Sequence, residues 1–220
     1  DSNGNFTVKG QITVTGPNGG EVWMVGATQN ITWTKQGSFP NVKLEYSTNG
    51  FFDELQTLLI TASAANTGTF AWTVADAIGT NVKIRASDSA NSTVVDASNG
   101  PFEIKGTLTL TAPNGTEVWQ VGESRNLTWT KTGTIATVKL EYSTDGGTSY
   151  ANVITASTSA TTGTYAWTIP DVIGTLLRIR ITNTADATVT DASDGNFEVR
   201  GSVTVTAPNG AEVWAVGESR

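Results

Sequence analysis

Residues 17–33, PNGGEVWMVGATQNITW, return as residues 113–129, PNGTEVWQVGESRNLTW. A third Pro-Asn-Gly-x-Glu-Val-Trp block begins at Pro208, so the starts at Pro17, Pro113 and Pro208 lie 96 and 95 residues apart. Self-similarity at a fixed period marks an array in which one structural unit is copied along the chain. The copying runs beyond the block. VKLEYST occupies both 42–48 and 138–144, Trp72 returns as Trp167, and Phe102 returns as Phe197.

Residues 1–10, DSNGNFTVKG, match the closing segments SNGPFEIKG (98–106) and SDGNFEVRG (193–201), whereas 202–220 match the opening of a unit. The expected organisation is the C-terminal strand of a preceding repeat at 1–10, one repeat at 11–106, a second at 107–201, and the N-terminal part of a third at 202–220. On this reading the 220 residues are a window on a longer array.

Within each unit the apolar residues alternate with period two. Ile31 and Trp33, then Val42, Leu44 and Tyr46 interleaved with Lys43 and Glu45, then Val82, Ile84 and Ala86 interleaved with Lys83 and Arg85, all place one side of a strand in a core and the other in water. Gly, Asn, Asp and Pro fall between these runs, as turns require, and no stretch shows a helical period. Six to eight short, threonine-rich strands in about 95 residues predict an all-β fold of tandem immunoglobulin-like antiparallel β-sandwiches. Phe102-Glu103-Ile104-Lys105 ends one unit and Thr107 opens the next, so only Gly106 joins them. Such very short linkers predict sandwiches held end to end with little freedom.

Composition narrows the function. With 13 basic and 20 acidic residues the net charge is −7, which disfavours nucleic acid and anionic membranes as partners. No apolar run approaches a membrane span. There is no cysteine, hence no disulfide, thiolate nucleophile or Cys-ligated zinc, and no histidine, the commonest general base near neutral pH and a frequent metal ligand. A non-enzyme without cofactor follows as the expectation.

Several residues are still candidates for a role. The tryptophans occupy equivalent positions, and the alternation assigns Trp33, Trp129, Trp72 and Trp167 to the core. Trp23, Trp119 and Trp214, with Glu21, Glu117 and Glu212 of the same block, are candidates for contacts between domains or subunits; the glutamates are also placed to accept hydrogen bonds from the turn amides. Asp96, Asp191 and Asp194 stand in Asp-x-x-Asp/Asn-Gly turns that are either Asx turns or weak calcium sites, short of the ligand density of a defined calcium loop. Of the Asn-x-Ser/Thr sequons, Asn91 and Asn114 lie in turn-like segments and are the better glycosylation acceptors. Lys43 and Lys139 alternate outward with Glu45 and Glu141, which argues against a buried isopeptide cross-link. Ser143 to Tyr150 resembles the Asp-box, a hairpin motif that stabilises turns away from active sites, and the first unit has drifted from it at Ser47 to Phe51.

The pattern PNGxEVWxVGxxxNxTW at 17–33 and 113–129 resembles that of Ig-like repeats in large prokaryotic surface and filament proteins. It is also similar to the N-terminal Ig-like domain of the fungal Ser/Thr-rich, GPI-anchored cell-wall family. The resemblance implies an extracellular sandwich used for display, spacing or assembly, with no catalytic residues.

The expected function is therefore a structural repeat segment of a secreted, cell-surface fibre or adhesin stalk. Its partners would be further repeats or other copies of itself, through inter-domain contacts or β-strand addition between subunits. The rivals are an adhesin module binding glycans or proteins through loop aromatics such as Phe51 and Phe52, and a passive spacer in a secreted enzyme.

Overall fold

The structure, a computed structural model, describes residues 7–217 and 219. Residues 1–6, 218 and 220 lie outside it, and with them most of the expected preceding-repeat strand; residues 7–10 carry no regular structure. Alternating apolar side chains produce nine strand segments between Gln11 and Lys105. They are β1 (Gln11–Gly16), β2 (Val22–Met24), β3 (Thr28–Gln36), β4 (Asn41–Ser47), β5 (Thr57–Ala65), β6 (Thr69–Thr73), β7 (Gly79–Asp88), β8 (Asn91–Ala97) and β9 (Phe102–Lys105). The set recurs as β10 (Thr107–Ala112), β11 (Val118–Gln120), β12 (Ser124–Thr132), β13 (Thr137–Ser143), β14 (Asn152–Ser159), β15 (Thr164–Thr168), β16 (Gly174–Asn183), β17 (Thr190–Ala192) and β18 (Phe197–Arg200).

Each set folds into an Ig-like sandwich of two sheets. In the first, β1-β3-β6 faces β2-β9-β7-β4-β5, with β8 also paired to β7; in the second, β10-β12-β15 faces β11-β18-β16-β13-β14, with β17 paired to β16. Nine segments replace the expected six to eight because two strands are interrupted. The Pro-Asn-Gly turn cuts the first strand into β1 and β2, and one edge of β7 is shared between β9 along Gly79–Val82 and β8 along Arg85–Asp88. The antiparallel expectation has one exception per sandwich: β2 runs parallel to β9, and β11 to β18. The chain crosses from one sheet to the other at the turn instead of doubling back, so the second half of the strand arrives in the parallel sense. A single 3-10 turn, Glu54–Gln56, is the one helical segment among the described residues.

The two cores are built alike. Trp23 packs on Phe102 with ring centroids 4.9 Å apart and on Trp72 at 6.1 Å, and Tyr46 lies 5.2 Å from Trp72. Trp119, Phe197, Trp167 and Tyr142 repeat the cluster at 5.0 to 6.3 Å. Offset and tilted rings at these separations add to the burial of large apolar surface. The indole N–H groups are satisfied differently. Trp33 Nε1 donates to Asn66 Oδ1 at 2.7 Å, and Asn66 Nδ2 donates in turn to the Phe39 carbonyl at 2.9 Å. Trp129 Nε1 instead reaches the Ala160 carbonyl at 3.0 Å.

Replacing Asn66 with leucine orphans both the Trp33 N–H and the Phe39 carbonyl inside the first sandwich. Urea unfolding should show a loss of about 1–3 kcal/mol, while Thr161→Leu, an exposed neighbour of Ala160 in the second sandwich, should stay close to the parent.

Candidate functional site at the joint between the sandwiches

The repeated turn is held by its own sandwich. Asn18 and Gly19 donate their amides to Glu21 Oε1 and Oε2 at 2.7 and 2.8 Å, and Asn114 and Gly115 do the same with Glu117, both at 2.8 Å. In the third block Asn209 donates to Glu212 Oε1 at 2.8 Å. Burial pushes the Glu21 carboxyl upward, but the amides of Asn18, Glu21 and Gly19 outweigh it and hold the group below its usual range. Trp23 and Trp119 are buried among their own Phe, Trp and Tyr neighbours, so the structure places them inside each sandwich and not at a boundary. Trp214 lies in a stretch without strands and is half exposed.

What grips the turn is the segment Asp96-Ala97-Ser98-Asn99-Gly100. Asp96 Oδ2 accepts the Val14 amide at 2.8 Å, where the β1–β3 register breaks. Buried Ser98 donates to the Pro17 carbonyl at 2.9 Å and accepts from the Ile84 amide at 3.0 Å. Gly100 donates to the Asn18 carbonyl, and a Cβ on Gly19, whose φ is +132°, would stand 3.0 Å from Gly100 Cα. Asp191, Ser193 and Gly195 repeat these contacts on Leu110, Pro113 and Asn114, and Asp194 Oδ2 receives Asn114 Nδ2 at 2.7 Å. Sequence reasoning offered Asp96, Asp191 and Asp194 to calcium. The structure gives each a partner within this clasp, and no three His, Cys, Asp or Glu side chains form a metal-holding group among the described residues. The signal overlooked was the recurrence of Asp-Ala-Ser-Asn/Asp-Gly at 96–100 and 191–195. Of the sequons, Asn91 is exposed with Oδ1 taking the Thr93 amide and hydroxyl, while Asn114 is half-buried with its side-chain nitrogen engaged.

On the outer face of the larger sheets, two glutamates expected in water are buried. Glu45 is held by Lys43 at 2.5 Å and Arg85 at 3.1 Å, and Arg85 also forks onto Glu54 at 2.7 and 2.9 Å. Glu141 is held by Lys139 at 2.6 Å and Arg180 at 2.8 Å. Burial raises the Glu141 carboxyl, but these two cations prevail and keep it below its ordinary value. An aromatic ring covers each arginine, Phe51 at 4.7 Å from Arg85 and Tyr150 at 4.4 Å from Arg180. Phe51 is thus occupied, and Phe52, 94 % exposed, is the free ring of the pair. The turns beneath the rings share one scaffold: Ser47 Oγ takes the amides of Asn49 and Phe51, as Ser143 Oγ takes those of Asp145 and Gly147. Carboxylate, cations and covering ring together fasten these loops to the sheet.

The remaining concentration of polar contacts lies between the sandwiches. Asp76, in the β6–β7 loop, accepts the Thr134 amide at 3.0 Å and the Thr134 hydroxyl at 2.6 Å. Lys105, at the end of β9, donates to the Thr188 hydroxyl at 2.7 Å and lies 3.1 Å from Glu103 and 3.5 Å from Asp186. The carboxylates of Glu103 and Asp186 raise the Lys105 ammonium above its usual range. Ile78 and Val25 press on Gly133, where a Cβ would meet both at 3.1 Å, and a Cβ on Gly106 would stand 2.6 Å from the Thr132 carbonyl. Beside these contacts opens a cleft of about 490 Å³ lined by Ile78, Thr80, Ile104, Ile135, Ala185 and Asp186. The sequence placed Glu103, Ile104, Lys105 and Gly106 at the joint, but not Asp76, Ile78, Gly133, Thr134, Asp186 or Thr188, because each contact depends on which loops meet.

No family model matches the sequence, and no curated protein matches it. Among solved structures, it is similar to the fibronectin(III)-like modules of CbhA from Clostridium thermocellum, at 24% identity, 87% coverage of this chain, 95% of that one and a TM-score of 0.31. The N-terminal four Ig domains of Dscam1 isoform 6.9 align at 12% identity over 90% of this chain and 48% of that chain, with a TM-score of 0.41. A chimeric titin Z1Z2 tandem aligns at 16% identity over 86% and 96%, with a TM-score of 0.30. Likenesses at this level transfer no ligand, partner or activity to the chain.

The turn at Asp145 offers a pH test. Hydrogen bonds from the Ser143 and Ser149 hydroxyls and the Ser149 amide lower its carboxyl from 3.8 to about 2. A depressed folded pKa stabilises above the unfolded value and loses that contribution as pH falls through the folded one. Asp145→Asn should therefore lower the urea midpoint at pH 5, and the gap from the parent should close between pH 3.8 and about 2.

Proposed function

We propose that the chain is a structural, non-catalytic segment of an extracellular, cell-surface protein. Its Ig-like sandwiches act as a spacer or fibre segment, and its function lies in the fixed geometry of successive units. The joint carries this reading. A single residue, Gly106, connects Lys105 to Thr107, and the contacts of Asp76 with Thr134 and Lys105 with Thr188 add bonds on separate loops. One-residue connections leave the two bodies few backbone dihedrals through which to reorient, and contacts on either side of that connection oppose the rotations that are left. The lack of histidine and cysteine and the mutual neutralisation of the buried glutamates support a role without catalysis. No described helix is long and apolar enough to cross a membrane.

A binding-module reading draws on the exposed Phe52, and loss of glycan binding on Phe52→Ala would favour it. The spacer reading is tested by distance. Because the chain has no cysteine, spin labels at Ser92→Cys and Ser157→Cys report one inter-sandwich distribution by pulsed electron resonance. A narrow distribution is expected, broadened by Asp76→Ala with Lys105→Ala and further by three glycines inserted after Gly106. A parent as broad as the glycine insertion would overturn the reading.

A further inference from the structure

Every sandwich has two sides where its sheets end, and in this chain the two differ. On one side β1 lies against β8, tied by Asp96 to the Val14 amide, and β10 lies against β17 through Asp191 and Leu110. On the other side β5 ends the larger sheet and β6 the smaller, and β14 and β15 do so in the second sandwich. Only residues 66–68 connect β5 to β6, which puts both unpaired edges on the same side. Among the described residues no further strand pairs with either edge, and backbone groups there meet at most local threonine hydroxyls, as at Ser157 and Thr164.

The strands of that open side also carry no charge, the nearest being the paired Glu45 and Glu141 on the adjoining strands and Glu54 just before β5. Residues 55–75 and 146–170 contain no Asp, Glu, Lys or Arg, although the chain has 33 such residues in 220 (13 basic, 20 acidic). Edge strands of freely soluble proteins are commonly guarded by lysine, proline or inward-pointing charge. Here β5 and β14 have neither charge nor proline, and Leu58, Leu59 and Val153 are 45 %, 58 % and 53 % exposed. Register shifts beside Leu44 and Leu140 divide each edge into short regular stretches, Thr57–Leu59 and Ala64–Ala65 on β5, Asn152–Val153 and Thr158–Ser159 on β14, so any added ladder is short.

We propose that the β5–β6 side of the first sandwich and the β14–β15 side of the second are lateral docking surfaces for a second copy of the chain. The copies join edge to edge, β5 against β5 or β14 against β14, in the self-complementary manner of a two-fold contact. Charge argues for a copy as the occupant. Two chains of net charge −7 repel one another over most of their surfaces, and the neutral sides are where they approach without opposing like charges. Short ladders with a few apolar side chains make a weak contact that forms a dimer only at high concentration and adds up where many repeats lie side by side.

The test is sedimentation of the intact chain from about 10 μM to about 1 mM, the range of weak contacts, at two salt concentrations. Concentration-dependent dimer is expected, strengthened by salt, because screening weakens the general repulsion and there is no ion pair to lose. Leu59→Lys with Val153→Lys should weaken association by roughly tenfold or more, since each lysine places like charges opposite one another across the two-fold. The thermal midpoint should be unchanged, and Ser92→Lys, on β8 at the closed side, should behave as the parent. A parent that stays monomeric at the highest concentration, or a double variant that associates as the parent does, overturns the proposal. Either result leaves the spacer reading intact, because label distances within one chain do not depend on association.

Discussion

An edge strand that leaves one sheet to join another must have its backbone hydrogen bonds satisfied during the crossing, and this constraint shapes both sandwiches. At the crossing the β1 ladder with β3 slips, and amides that would have paired along it need acceptors. Asp96 and Glu21 supply carboxylates, Ser98 donates to the carbonyl of Pro17, and Gly100 donates to that of Asn18. Glu21 is local to the turn, but Asp96 and Ser98 lie 82 and 81 positions from Val14 and Pro17, so the clasp also closes the first strand onto the segment after β8. The close approach of Gly19 to Gly100 is the steric side of the same requirement, since a side chain at either position would hold the segments apart.

The outer faces show how one contact survives divergence. Phe51 stands where the second unit has Gly147, at a φ of +64° against +90°, and reaches over Arg85; in the second unit that position is glycine and Tyr150 covers Arg180 from farther along the loop. A left-handed backbone is unfavourable for phenylalanine, and the stacked guanidinium with the Glu45 and Glu54 pairs offsets that cost. The arginine is the fixed point, and the loops have found different routes to shield it.

The sheets and cores were legible in the sequence because alternation is a local signal. Ile31 with Trp33 and Val82 with Ile84 announce a buried face without reference to any other strand, and both are buried. The parallel β2–β9 pair was not legible, since a turn followed by a strand reads the same whether the chain reverses or crosses. Glu45 and Glu141 were assigned to water by the same alternation that placed Leu44 correctly; parity reports which face a residue takes, and only the loops folded over that face determine whether it is wet. The joint depends on Asp76 meeting Thr134, a pairing between loops 58 residues apart with no periodic trace.

The parallel pairing of β2 with β9 has a mechanical consequence. Tension applied through Gly10 and Gly106 draws the strand that contains β2 toward one end of the sandwich and β9 toward the other. Strands that lie side by side and are pulled in opposite directions along their length are sheared, so the bonds linking Val22–Met24 to Glu103–Lys105 resist together. A hairpin pulled from its open end would instead give up its bonds one at a time. Each unit therefore meets stretching along the chain with its most cooperative arrangement of hydrogen bonds, and the second unit does so through Val118–Gln120 and Glu198–Arg200.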